Sequence, residues 1–155
     1  MDHSVSKAPA GSSRRPLDRT FSLRQANRSL VLVRRIVSDI VSRYGRLLEL
    51  QEMLELRQRT GAWDELDRLK AASGEVAHKL QGYLGELDEV GVKFRDFARG
   101  LVDFPARVGG KEIFYCWQLD EPDVQYWHYP NDGVAGRRPI CDLAGLPDTV
   151  PAGSA

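Results

Sequence analysis

Two apolar seams separated by one Thr-Gly break constrain this chain more than any other feature. In the first, Leu23, Ala26, Leu30, Val33, Val37, Ile40, Tyr44, Leu47, Gln51 and Leu54 recur at alternating steps of three and four, with Gln51 the one polar member. That spacing predicts a single helix over about residues 22–58, roughly 55 Å long at ~1.5 Å per residue. Ser22 and Gln25 form a capping box at its start, with Phe21 and Ala26 at the staple positions. Thr60-Gly61 ends it. The second seam, Leu66, Leu69, Ser73, Val76, Leu80, Tyr83, Leu87 and Val90, predicts a helix from about 62 to 90 that Gly91 stops. A link this short forces the two helices into an antiparallel hairpin.

Charge follows the same division. Residues 21–59 carry eight basic and four acidic side chains, whereas residues 60–91 carry three basic and seven acidic ones. A turn centred near Gly61 sets Arg34 and Arg35 near Glu86 and Asp88, Glu52 opposite Lys70, and Arg57 and Arg59 beside Asp64 and Glu65. Each exposed pair is worth only about 0–1 kcal/mol, so the agreement argues for register rather than stability. The first helix is the longer, so residues 22–31 are expected to overhang and pack on whatever follows Gly91. Leu32, Ile36, Val41, Leu48, Leu50 and Met53 lie off the seam. A two-helix hairpin cannot cover them all, so a second packing surface or a second copy of the chain is expected there.

After Gly91 the period shortens. Val92 to Arg95 alternates, and Glu112–Leu119 and Val124–Tyr129 are rich in strand formers, joined through Asp120-Glu121-Pro122-Asp123 as a turn. The expected fold class is therefore α+β: a long antiparallel two-helix coiled-coil hairpin (20–91) plus a small antiparallel β module of about three strands (92–142) on its base. Residues 1–19 and 143–155 read as disordered tails, being small, polar and proline-containing without an apolar period.

The formal net charge is zero, which argues against a dedicated nucleic-acid binder. The longest aliphatic run is only Leu30–Val33, too short for a transmembrane helix or the core of a secretory leader. Cytoplasmic localisation follows by elimination. Cys116 and Cys141 are too few for a disulfide framework.

Polar and aromatic residues crowd into 100–139: Gly-Leu-Val-Asp-Phe-Pro at 100–105, Cys116-Trp117, Glu121-Pro122, Trp127-His128 and Gly-Val-Ala-Gly-Arg-Arg-Pro at 133–139. With Phe21-Ser22, Ala26-Asn27 and Leu30, these segments resemble the bacterial family called domain of unknown function 2203, over about residues 21–140. The resemblance implies a fold and a bacterial origin and supplies no activity. Asp120 and Val134 depart from the family's pattern of a Gly before the Glu and an aromatic after the first Gly.

Three chemistries compete for this segment. Cys116 and His128, with Glu121 or Asp132, are acceptable ligands for zinc or a similar ion. If the turn pairs Leu119 with Val124, however, Cys116 faces Trp127 and His128 faces Tyr115. The two then point to opposite faces unless a one-residue bulge intervenes. The same argument counts against a Cys116–His128 thiol enzyme assisted by Asp103 or Glu121, and no phosphate or dinucleotide loop is present. The third reading is anion or small-ligand binding by a flexible loop of Gly133, Gly136, Arg137 and Arg138 with its two guanidinium groups, with Asp103, Glu121 and His128 as further candidates and Trp117, Tyr126 and Trp127 lining a pocket. Its bland counterpart is Arg137 clamping Glu121 or Asp103 to hold the module together.

The sequence thus leads to a non-enzymatic interaction or scaffold protein without a cofactor, a homodimer through its helix faces, with a further protein partner recognised by the β module. The alternative is a small-ligand or metal-binding module, catalytic or not, using Glu121, His128 and Arg137.

Overall fold

A computed structural model describes residues 19–145. Helix α1 (Leu23–Thr60) opens with the expected capping box: the Gln25 N–H donates to Ser22 Oγ at 3.0 Å, and the Ser22 N–H donates to Gln25 Oε1 at 2.9 Å. Phe21 does more than staple the helix. Its N–H donates to the Pro105 carbonyl at 2.7 Å and its ring meets Phe104 edge-on at 5.2 Å, so the start of α1 is tied to the sheet. Gly61 ends α1 in the left-handed region (φ 76°), and α2 (Trp63–Val90) runs back to Gly91 (φ 99°).

The hairpin register agrees with the Arg57–Glu65 ion pair across the turn. The α2 seam is buried or half-buried throughout. The α1 seam departs from strict heptads near its far end, where Leu50 is 1% exposed and Gln51 lies in solvent. A step of three from Leu47 reaches Leu50, which replaces a polar group with an apolar one in the contact. Arg34 leaves the expected helix partners as well. It donates to the Pro122 carbonyl at 2.7 Å and lies over the Trp117 ring, because this stretch of α1 already faces the sheet.

The sheet has five strands rather than about three: β1 (Lys93–Asp96), β2 (Leu101–Val108), β3 (Lys111–Gln118), β4 (Tyr126–His128) and β5 (Arg138–Pro139), an antiparallel meander in sequence order. The strand missing from the sequence-based expectation, β2, contains Pro105, a residue that argues against a central strand. Lys93 is the first residue of β1 and pairs with Asp103, so β2 has no β1 neighbour at Pro105. The Pro105 carbonyl points to Phe21 and away from β3, so the absent N–H breaks no bond of the β2–β3 ladder.

One sheet face packs on α1. Val102, Phe104, Ala106, Ile113, Tyr115, Trp117 and Trp127 share a core with Ala26, Leu30, Val33, Ile36, Val37 and Ile40. The core-facing side of the overhanging part of α1 is thus covered, together with off-seam Ile36 and Val41, whereas Val31 points to solvent. A 3-10 helix, Ile140–Gly145, closes the described chain and buries Leu143, so the packed region extends past the boundary expected at 142. The tails expected at 1–19 and 143–155 otherwise fall outside the described residues.

Gly100, in the turn before β2, packs closely on α1. Its φ is +71°, and a Cβ there would sit 2.9 Å from Val37 Cγ1. Gly110 has a similar φ of +77° with nothing within 4 Å of its Cβ position. Gly100→Ala is therefore expected to destabilise by on the order of 3 kcal/mol, and Gly110→Ala by about 1 kcal/mol, from backbone strain alone. Urea unfolding of the two variants measures the difference, and equal losses would contradict this packing.

Candidate functional site

The sheet face turned away from α1 carries the polar cluster, and strand register decides its membership. Asp103 pairs with Cys116, Cys116 with Tyr126, and Phe114 with His128. Cross-strand partners share a face, and so do residues two apart. Asp103, Cys116 and His128 therefore project together from β2, β3 and β4. This corrects the expectation that Cys116 and His128 oppose one another. The β3–β4 connection is not a symmetric hairpin: the Glu121 N–H bonds the Gln118 carbonyl, while the Val124 N–H is drawn 2.7 Å from Asn27 Oδ1 on α1. Val124 is thus unavailable to Leu119, whose own N–H donates to the Gly100 carbonyl, and the register shifts by one residue.

Asp103 and His128 reach toward each other across β3. His128 Nε2 lies 3.0 Å from Asp103 Oδ1, and Nδ1 lies 2.7 Å from the Tyr129 carbonyl oxygen. Asp103 Oδ2 accepts from Arg95 Nε at 2.8 Å. Both imidazole nitrogens thus face acceptors, which fits a doubly protonated ring against a carboxylate. Burial disfavours that charge, but the hydrogen bonds to Asp103, the Cys116 thiol and the Tyr129 carbonyl, with the Asp103 charge, outweigh it. They raise the His128 pKa from 6.5 to about 10. Asp103 and His128 are each 2% exposed and Cys116 is 0%. Arg95, over the Phe114 ring at 5.2 Å, helps to roof the cluster.

Arg137 adjoins it. Its Nη2 donates to Glu121 Oε1 at 2.8 Å and to the Cys116 carbonyl at 3.3 Å, and its guanidinium stacks 4.1 Å from the Tyr126 ring centre. Burial opposes its charge and the Glu121 carboxylate outweighs that, raising its pKa. The two glycines before it have distinct uses. Gly133 adopts φ 69°, and Gly136 sits where a Cβ would come within 2.5 Å of Asp132 Cβ. Glu121 Oε1 also accepts from the Gln118 N–H at 2.9 Å, so this pair braces the β3–β4 turn.

Of the sequence candidates, Asp103, Cys116 and His128 converge, and Glu121 and Arg137 form a second pair beside them. Trp117 and Trp127 do not line a pocket with them. They lie in the core on the opposite face, donating to the Glu121 and Pro139 carbonyls. A groove of about 370 Å³ on the outer side is lined by Lys93, Pro105, Arg107, Glu112 and Phe114 among others, and by none of Asp103, Cys116 or His128. The residue sequence reasoning missed is Arg95. Its signal was the basic–apolar alternation of β1 beside a strand bearing Asp103. Among the described residues, Asp103, Cys116 and His128 are the group whose ligating atoms could hold a metal ion, all within 4.8 Å of one another.

A family model for the uncharacterised conserved protein DUF2203 matches residues 19–140. The chain belongs to this family. The matched span of DUF2203 contains the hairpin, all five strands and every residue of the cluster. No curated protein and no solved structure matches the chain.

The His128 pair makes stability pH-dependent with a definite sign. A pKa raised on folding stabilises fully below 6.5, and that contribution is lost as pH rises through about 10. Urea midpoints of chelator-treated protein should fall across this window. His128→Ala should lower stability by on the order of 3 kcal/mol near neutrality, because buried Asp103 then loses one of its two charged partners and keeps Arg95, and should flatten the slope. A slope unchanged in the variant would contradict the charged pair.

Proposed function

We propose that this DUF2203 protein is a non-catalytic association module of the cytoplasm, with the helical hairpin as its self-association arm and the sheet as its rigid base and recognition surface. The observation that carries the reading is where large apolar side chains meet solvent. Among the described residues these are Val31, Leu32, Leu48, Met53 and Leu56 on α1 and Trp63, 68% exposed, at the start of α2. All six lie on the hairpin. The buried polar groups of the sheet, Asp103 and His128, are in contrast turned onto one another.

Charge favours a second copy of the chain as the partner. Helix α1 carries a net excess of four positive charges and α2 of four negative ones. Two hairpins laid side by side bring the basic helix of one against the acidic helix of the other, in a coiled-coil-like contact. In the outer groove Arg107 is paired with Glu112 at 3.2 Å, and Lys93 is placed to meet an acidic residue of a further protein partner. Among the described residues no helix is long and apolar enough to cross a membrane, and two free cysteines suit a reducing compartment.

Sedimentation velocity over a wide concentration range tests the association. A dimer that weakens with added salt is expected, and a Leu48→Glu, Leu56→Glu double variant should remain monomeric with unchanged helical circular dichroism. A wild-type chain that stays monomeric at the highest concentration would contradict the proposal.

A further inference from the structure

We propose that Asp103, Cys116 and His128 form a binding site for one divalent transition ion of the zinc type. The site is independent of the association reading, since none of its residues lies on the hairpin.

The donor set comes first. One carboxylate oxygen, one sulfur and one imidazole nitrogen lie within 4.8 Å of one another. Thiolate and imidazole together select zinc and its neighbours over magnesium or calcium, which take oxygen ligands. Each donor stands on a different one of three adjacent strands, so the sheet ladder holds them in place without help from a loop.

The outer contacts are those a metal site needs. A ligating histidine usually donates its other N–H to a carbonyl or carboxylate, which fixes the tautomer and aims the free nitrogen. His128 Nδ1 does this with the Tyr129 carbonyl at 2.7 Å, leaving Nε2 turned to Asp103. Arg95 occupies Asp103 Oδ2, leaving Oδ1 on the side of His128. Arg137 bonds the Cys116 carbonyl at 3.3 Å and so ties down the backbone that carries the sulfur.

The charges balance. Without an ion, the hydrogen bonds describe an Asp103 carboxylate, a His128 imidazolium and a Cys116 thiol, for a sum of zero. A divalent ion entering the site displaces one proton from Nε2 and one from Sγ, both to solvent. The products are a carboxylate, a neutral imidazole, a thiolate and a 2+ ion, again zero. A buried cluster that keeps its net charge avoids the cost of burying a new one. Cys116, which without an ion only hydrogen-bonds the imidazole, becomes a direct ligand when the ion is bound. Three protein ligands are one fewer than the four of a closed structural zinc site.

Cobalt(II) titration of the full, chelator-stripped chain tests this. The expected result is saturation at one equivalent, with a thiolate-to-cobalt charge-transfer band and intense tetrahedral d–d bands, both removed by zinc. The band should persist in Cys141→Ala and vanish in Cys116→Ala. His128→Gln should weaken binding by about 100-fold or more. Because the chain has two cysteines, persistence in Cys141→Ala assigns Cys116 even if Cys116→Ala does not fold. No charge-transfer band in the wild type, a band that survives Cys116→Ala, or one lost in Cys141→Ala would overturn the proposal.

Discussion

The Asp103–His128 pair is the interaction on which the rest of the β base depends. It joins β2 to β4 across the strand that separates them, on the face that receives no helix. An uncovered sheet face ordinarily carries scattered polar groups in water. Here the pair, with Arg137 stacked on Tyr126 and the more exposed Arg95 lying over Phe114, makes a second, polar core opposite the apolar one. Removing either member breaks a buried contact between β2 and β4, so the pair commits both strands to one register.

The two cores are coupled through a few backbone contacts of α1. Phe21 takes up the carbonyl that Pro105 turns outward, and Asn27 captures the Val124 N–H. The second contact sets the β3–β4 connection and hence the one-residue shift that brings His128 onto the face of Cys116. A polar side chain on a helix thus determines which chemistry the far side of the sheet can hold. Arg34 and Gly100 complete the seam between helix and sheet, the one by bonding the Pro122 carbonyl and the other by allowing close approach to Val37.

Much of this was legible in the sequence, and the exceptions have physical causes. Capping box, helix ends and hairpin register follow from local chemistry, and local rules predict them. Leu50 replaced Gln51 in the seam because burial outweighs strict periodicity when a Leu lies one position away. Strand β2 was hidden by Pro105, whose cost disappears only because β1 stops short of it, a tertiary fact. The face of His128 depended on Asn27, 97 residues from Val124, and no strand-local rule contains that bond. Asp103, Cys116, Glu121, His128 and Arg137 were all recognisable as candidates by type. Their division into a buried cluster and a bracing pair needed the fold, as did the assignment of Trp117 and Trp127 to the opposite face.

The nitrogen-15 spectrum of the His128 ring in metal-free protein tests the central claim most directly. Midway between the ordinary pKa of 6.5 and about 10, both ring nitrogens should be protonated, with slowly exchanging N–H signals that respond to Asp103→Asn. A neutral ring carrying one proton at that pH, titrating near 6.5, would contradict the buried ion pair.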